Sequence, residues 1–181
     1  MNQDRFSLEF GLFVETEVPA DELIVSRTDM KGVITYANET FAEISGYTPA
    51  ELIGQPHNIV RHPDMPSSVF ATLWSTIKAK KSWRGYVKNL RKDGGYYWVE
   101  AEVSGVYKDG VLTEYKSVRS PVSSVMKQQM QNQYDALRLK EDALARSVAY
   151  LSRDNIEKLK KLSEANAVSQ NEILNQAIEK L

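Results

Sequence analysis

Between Asn38 and Trp98 the chain gathers side chains suited to gripping a flat molecule with polar edges. Trp74, Trp83, Trp98 and Phe70 offer aromatic faces. Asn38 and Asn89 carry primary amides, which donate and accept at once and so can read a ring edge that does both. Arg61, with His62 beside it, can meet a phosphate, because a guanidinium forks onto two oxygens. Asp64 lies two residues further on. Each group also has a plainer reading. The tryptophans can fill a core. Asn38 follows a strand-like run and can cap a helix. Asp64 can start the helix at Pro66, and Arg61 and His62 around Pro63 can lie on a surface loop. Residue types alone leave both readings open.

The inventory also excludes chemistries. There is no cysteine, so disulfides, thiolate nucleophiles, Cys-ligated zinc and iron–sulfur clusters are ruled out. No triad or carboxylate pair stands out, which argues against an enzyme. His57 and His62 are the only histidines and lack further ligands at metal-site spacing. No glycine-rich loop opens a helix of a parallel sheet, so a Rossmann-type dinucleotide site is excluded. Lys and Arg number 23 against 24 Asp and Glu, a balance with no global pull toward nucleic acid or anionic lipid. No apolar run reaches the ~18 residues of a membrane span, and the first residues lack the apolar core of a signal peptide. A cytoplasmic protein without direct membrane insertion is expected.

Three zones position these residues. Residues 1–19 mix apolar periods and read as an N-terminal cap. Residues 20–121 hold every Trp and most of the Gly and Pro, and form the globular part. Residues 122–181 contain no Gly, Pro, Trp or Phe and are rich in helix formers, with Ser123 and Ser124 as N-cap candidates. In the globular part, Leu23–Thr28 and Val33–Tyr36 flank a turn at Asp29–Gly32. Asn38 or Glu39–Thr40 opens a helix that Gly46 ends, and Thr48-Pro49-Ala50-Glu51 is a capping box. Pro66–Lys80 reads as a longer helix. Three strands follow, joined at Asp93-Gly94 and Asp109-Gly110. The expected class is α+β: a five-stranded antiparallel sheet with helices on one face, followed by a long C-terminal helix or coiled coil. The tail's heptad-like pattern breaks near 152–156, which suggests a stutter or hinge. A helix that long cannot bury its stripe on one small domain, so a partner helix is implied, in a homodimer or a hetero-complex.

The element order, with Gly32–Asn38, Phe41, Ser45–Gly54 and Arg91–Gly94, resembles the PAS family. A narrower resemblance lies in Gln55–Pro66, Leu73-Trp74, Trp83–Gly85, Val87–Asn89 and Tyr97–Val99. These look like the flavin-binding PAS domain of bacterial aerotaxis receptors. That resemblance implies FAD between sheet and helices, held by Asn38, Arg61, His62, Asp64, Phe70, Trp74 and Asn89; Trp83 joins them on its aromatic side chain alone. It implies a redox or energy-taxis sensor. Aerotaxis receptors continue into membrane spans and a methyl-accepting domain, whereas this sequence ends at Leu181. It is thus similar to the soluble PAS half of two-protein systems, whose partner is a membrane-bound methyl-accepting chemotaxis protein. A haem-binding PAS domain, ligated through His57 or His62, is the alternative; a ligand-free dimerisation module is another. Light-driven adduct chemistry needs the absent cysteine.

Overall fold

The computed structural model describes residues 14–149, 153–166 and 169. Its strands are β1 (Ile24–Thr28), β2 (Ile34–Ala37), β3 (Trp83–Leu90), β4 (Tyr96–Lys108) and β5 (Val111–Ser120). They form one antiparallel sheet in the order β2-β1-β5-β4-β3. Between β2 and β3 come α1 (Glu39–Ser45), α2 (Pro49–Leu52), a 3-10 turn (His57–Val60) and α3 (Ser67–Lys78). After β5 follow α4 (Ser124–Ala149) and α5 (Arg153–Asn166).

Local chemistry explains the breaks. The Asn38 side chain caps α1, and Gly46 ends it in the left-handed conformation. Thr48 and Glu51 form the reciprocal capping box of α2. In the β1–β2 turn, Asp29 Oδ1 accepts from the backbone N–H of Lys31 and Val33. Those N–H donors hold the Asp29 carboxyl below its ordinary pKa. α3 stops short of the expected Lys80 because that residue turns left-handed. Ser123 Oγ accepts from Met126 N–H, so the serine pair does begin α4.

Strand alternation sorts the sheet into two faces. Ile24, Tyr97, Val99 and Ala101 pack with Phe41, Ile44, Leu52 and Ile77 into the buried core under the short helices. Trp98 has the opposite parity. It stacks on Tyr134 of α4, with ring centroids 6.1 Å apart. Tyr134 Oη donates to the Tyr86 carbonyl at 2.6 Å. The start of α4 therefore lies against the outer face, and Trp98 is not a face for a ligand held on the inner side.

The chain divides into a compact unit through Asp135 and a second unit from Ala136. The first unit includes the start of α4. Its N-terminal segment runs parallel to β4, with Thr16 N–H donating to the Tyr96 carbonyl and Tyr96 N–H to that of Val14. The second unit holds the rest of α4 and α5, with Leu139 and Leu162 exposed. The phase break expected near 152–156 includes residues outside those described, as do Leu174, Ile178 and Leu181 and the apolar residues before Val14. Among the described residues no helix is long and apolar enough to cross a membrane.

Candidate functional site

Inner-face parity carries a set of side chains to one cavity of about 300 Å³ between the sheet and α3. Ser26 and Thr28 of β1, Tyr115, Ser117 and Arg119 of β5, and Ala101 and Val103 of β4 line its sheet side. Trp83, Val87 and Asn89 extend that side along β3. Phe70, Leu73, Trp74 and Ile77 of α3 face them, and Gly32, His57 and Arg61 close the flanks. Two glycines give the indoles room. A Cβ on Gly85 would come within 2.5 Å of the Trp83 ring, and one on Gly32 within 3.1 Å of the Trp74 ring.

Register explains how distant polar residues meet. Ser26 pairs with Ser117, and Ser117 with Val103; two residues along, on the same face, Ile24 pairs with Arg119, and Arg119 with Ala101. Arg119 Nη2 donates to His57 Nε2 at 2.7 Å and to Ser26 Oγ at 3.0 Å. The guanidinium lies over the Phe41 ring at 4.9 Å, and His57 stacks on the same ring. Among the described residues the buried Nη1 of Arg119 finds no hydrogen-bond partner, nor does the buried Tyr97 Oη.

The electrostatics are one-sided. Among the described residues no carboxylate lines the cavity. Burial lowers Arg119 to about 10, which still leaves it charged at neutral pH. Burial first, and the Arg119 charge second, push His57 down to about 3, so the imidazole is neutral and accepts at Nε2. Burial raises the Tyr97 hydroxyl well above its ordinary value, so it stays protonated. The cavity thus has a buried cation, Arg119, among apolar and aromatic walls. It can accept a flat ring whose edge carries acceptor atoms or negative charge.

Of the expected site residues, Arg61, Phe70, Trp74, Trp83 and Asn89 line the cavity. Asn38, His62 and Asp64 do not. Asn38 Oδ1 accepts from Val25 N–H at 2.9 Å and Phe41 N–H at 3.1 Å, while Nδ2 donates to the Leu23 carbonyl at 2.7 Å. Its amide is occupied by tying α1 to β1. His62 is buried, its Nδ1 accepting from Asp64 N–H at 3.0 Å. Asp64 pairs with Lys88 at 2.7 Å. Arg61 sits at the rim, its guanidinium 4.5 Å over the Phe70 ring and its Nη2 donating to the Met65 carbonyl.

A family model described as PAS fold matches residues 34–119, the stretch that builds the sheet and this cavity. The globular unit is a PAS domain. It is 48% identical over 105 residues to the aerotaxis receptor of Escherichia coli, covering 58% of this chain and 21% of that protein. It is 32% identical over 114 residues to the nitrogen fixation regulatory protein of Klebsiella pneumoniae, covering 62% and 23%. A biofilm dispersion protein of Pseudomonas aeruginosa is 30% identical over 129 residues, covering 70% and 30%. The chain spans less than a third of the length of each of these relatives. Among solved structures, a PAS domain from Colwellia psychrerythraea superposes with TM-score 0.51 and 23% identity, over 55% of this chain and 86% of that one. The light state of the Aureochrome1 LOV photoreceptor gives 0.56 and 22%, over 62% and 91%. At these identities the likeness establishes the fold.

Two polar residues that line the cavity, Arg119 and Ser26, were not among the expected site residues, and His57 was considered only as a haem ligand. The one local signal was a charged residue in the inward phase of β5, with Tyr115 and Ser117. The outward phase, Glu114, Lys116 and Val118, is equally polar, so the strand alone did not say which face was buried.

Proposed function

We propose that the PAS domain holds a flavin, FAD, and that the chain is a redox sensor for energy taxis rather than an enzyme. The observation that carries this reading is the Arg119 guanidinium: buried, charged, and lining an aromatic-walled cavity to which the described residues contribute no carboxylate. Leaving such a group buried is costly unless a ligand uses it. An isoalloxazine ring has acceptor atoms along its polar edge and gains negative charge or protons on reduction.

The residues present fit that group. Phe70, Trp74 and Trp83 supply apolar faces. Asn89 and Arg119 supply polar contacts to its edge, and neutral His57 holds Arg119 in place. Arg61 at the rim suits a pyrophosphate. His62 and Asp64 would serve from behind, by fixing the loop that carries Arg61, and Asn38 by fixing α1. The bound flavin would supply reversible electron uptake. Arg119 would respond to the charge at the ring edge, and it stands two residues before Pro121, at the entrance to α4. A change in its pairing therefore reaches the exit helix directly.

The name of the 48%-identical relative, an aerotaxis receptor, supports taxis signalling. The partner we propose is a membrane-bound methyl-accepting chemotaxis protein, engaged through the C-terminal helices from the cytoplasm. A haem is less well served. His57 Nε2 is taken by Arg119 and Ser26, and His62 does not line the cavity. Reconstitution tests the reading. Cofactor-stripped protein titrated with FAD should show saturable quenching of tryptophan emission, since Trp74 and Trp83 line the cavity. Trp74→Ala should lose binding while keeping its far-ultraviolet spectrum. Absence of saturable quenching in the wild type would overturn the proposal.

A further inference from the structure

The second cluster of charge in the PAS domain sits on the far side of β3 from the cavity. Asn89 points inward and lines the cavity; its neighbour Lys88 has the opposite parity and is buried on the outer face. Lys88 Nζ donates to Asp64 Oδ2 at 2.7 Å and to Gln131 Oε1 of α4 at 3.2 Å. It also lies 4.4 Å over the Tyr96 ring. One ammonium thus serves a loop, the sheet and the exit helix.

The loop is the one that carries the cavity rim. Arg61 bridges Asn89 on the open side of the edge strand β3. Three residues later Asp64 reaches Lys88, and Lys88 N–H meets Met65 Sδ at 3.3 Å. Residues 61–65 therefore clasp β3 from the cavity side round to the outer face. On that face the start of α4 is docked by Tyr134 on Trp98 and the Tyr86 carbonyl. A further tie runs from Lys127 to Glu15 at 2.6 Å and Glu17 at 3.1 Å.

We infer that Lys88 is a positioning residue that couples occupancy of the cavity to docking of the exit helix. The inference rests on the flavin reading for the identity of the ligand, and on the junction itself for the coupling. A ligand held at Arg61 and Asn89 fixes the rim loop, hence Asp64, hence the ammonium that Gln131 accepts from. Release of α4 removes one acceptor from a buried cation and loosens its hold on Asp64. Coupling of this kind is reciprocal: what FAD does to the helix, the helix does to FAD affinity.

The experiment uses the full chain, with hydrogen exchange read at residues 61–65 and 124–135 and FAD affinity measured alongside. In the wild type, FAD should slow exchange in 124–135 as well as at the rim; in Lys88→Met that protection of the helix should vanish. Gln131→Leu alters only the helix side. It should speed exchange at the rim loop even without cofactor, and weaken FAD by about fivefold or more. Tyr134→Phe, which loosens the dock without touching Lys88, should do the same in smaller measure. If Gln131→Leu speeds exchange in the helix alone and leaves the rim loop and FAD affinity unchanged, the coupling is refuted. If FAD fails to bind the wild type, the flavin reading falls, and the cofactor-free rim exchange of Gln131→Leu still decides this inference.

Discussion

Arg119 Nη2 stands 2.7 Å from His57 Nε2, a cation held by a neutral imidazole. The folded protein keeps His57 at about 3, below its ordinary 6.5, so it binds fewer protons there than the unfolded chain does. The stability this contributes is complete above pH 6.5 and is lost as pH falls from there toward about 3. Urea unfolding of the cofactor-free protein at pH 7.5 and 5.5 should show a loss of about 1 kcal/mol from this group. His57→Gln, whose amide oxygen can still accept from Arg119, should show a smaller loss. Equal losses in both proteins would contradict the assignment.

Arg119 serves the ligand more than the fold. Replacing a buried charge by an apolar side chain is often neutral or stabilising. Ser26 Oγ remains 3.1 Å from His57 Nε2 and can donate to it. Arg119→Met should therefore be no less stable than wild type without cofactor, yet bind FAD at least tenfold more weakly. Urea midpoints and FAD titrations separate the two effects. A variant that unfolds readily but binds normally would reverse the interpretation.

Asn38 acts through the fold. Its amide makes three hydrogen bonds to backbone around the β1–α1 junction. Asn38→Ala should cost about 1–2 kcal/mol, with cofactor retention falling only as far as the domain unfolds. A fully stable variant that cannot bind FAD would place Asn38 at the ligand instead.

Gly85 keeps Trp83 in its place. A Cβ there would sit 2.5 Å from the indole, so Gly85→Ala must push the ring off the strand and into the cavity wall. FAD affinity should drop further than the thermal midpoint of the cofactor-free protein. An unchanged affinity would show that Trp83 does not face the ligand.

Much of the fold was legible because its marks are local. Gly46, the Thr48–Glu51 box and the left-handed Gly32, Gly94 and Gly110 each announce a break within a few residues. The rim and α3 were legible too, since Arg61, Phe70 and Trp74 lie in one short stretch. What stayed hidden depends on pairing across the sheet. Arg119 meets Ser26 across 93 residues only because β1 and β5 pair in one register. Trp98 fell to the same cause, since a single step along β4 exchanges the cavity face for the helix-docking face. At Asn38 one amide suits two roles, and the positions of Val25, Phe41 and Leu23 put it to capping.

A redox sensor of this kind needs a flavin in the cavity beside Arg119. The most direct measurement is the absorption spectrum of the purified full chain, followed by release of the chromophore and its identification by mass. Flavin bands, with FAD in the supernatant, are the expected result. A Soret band, or a colourless protein that takes up no flavin on supplementation, would contradict it.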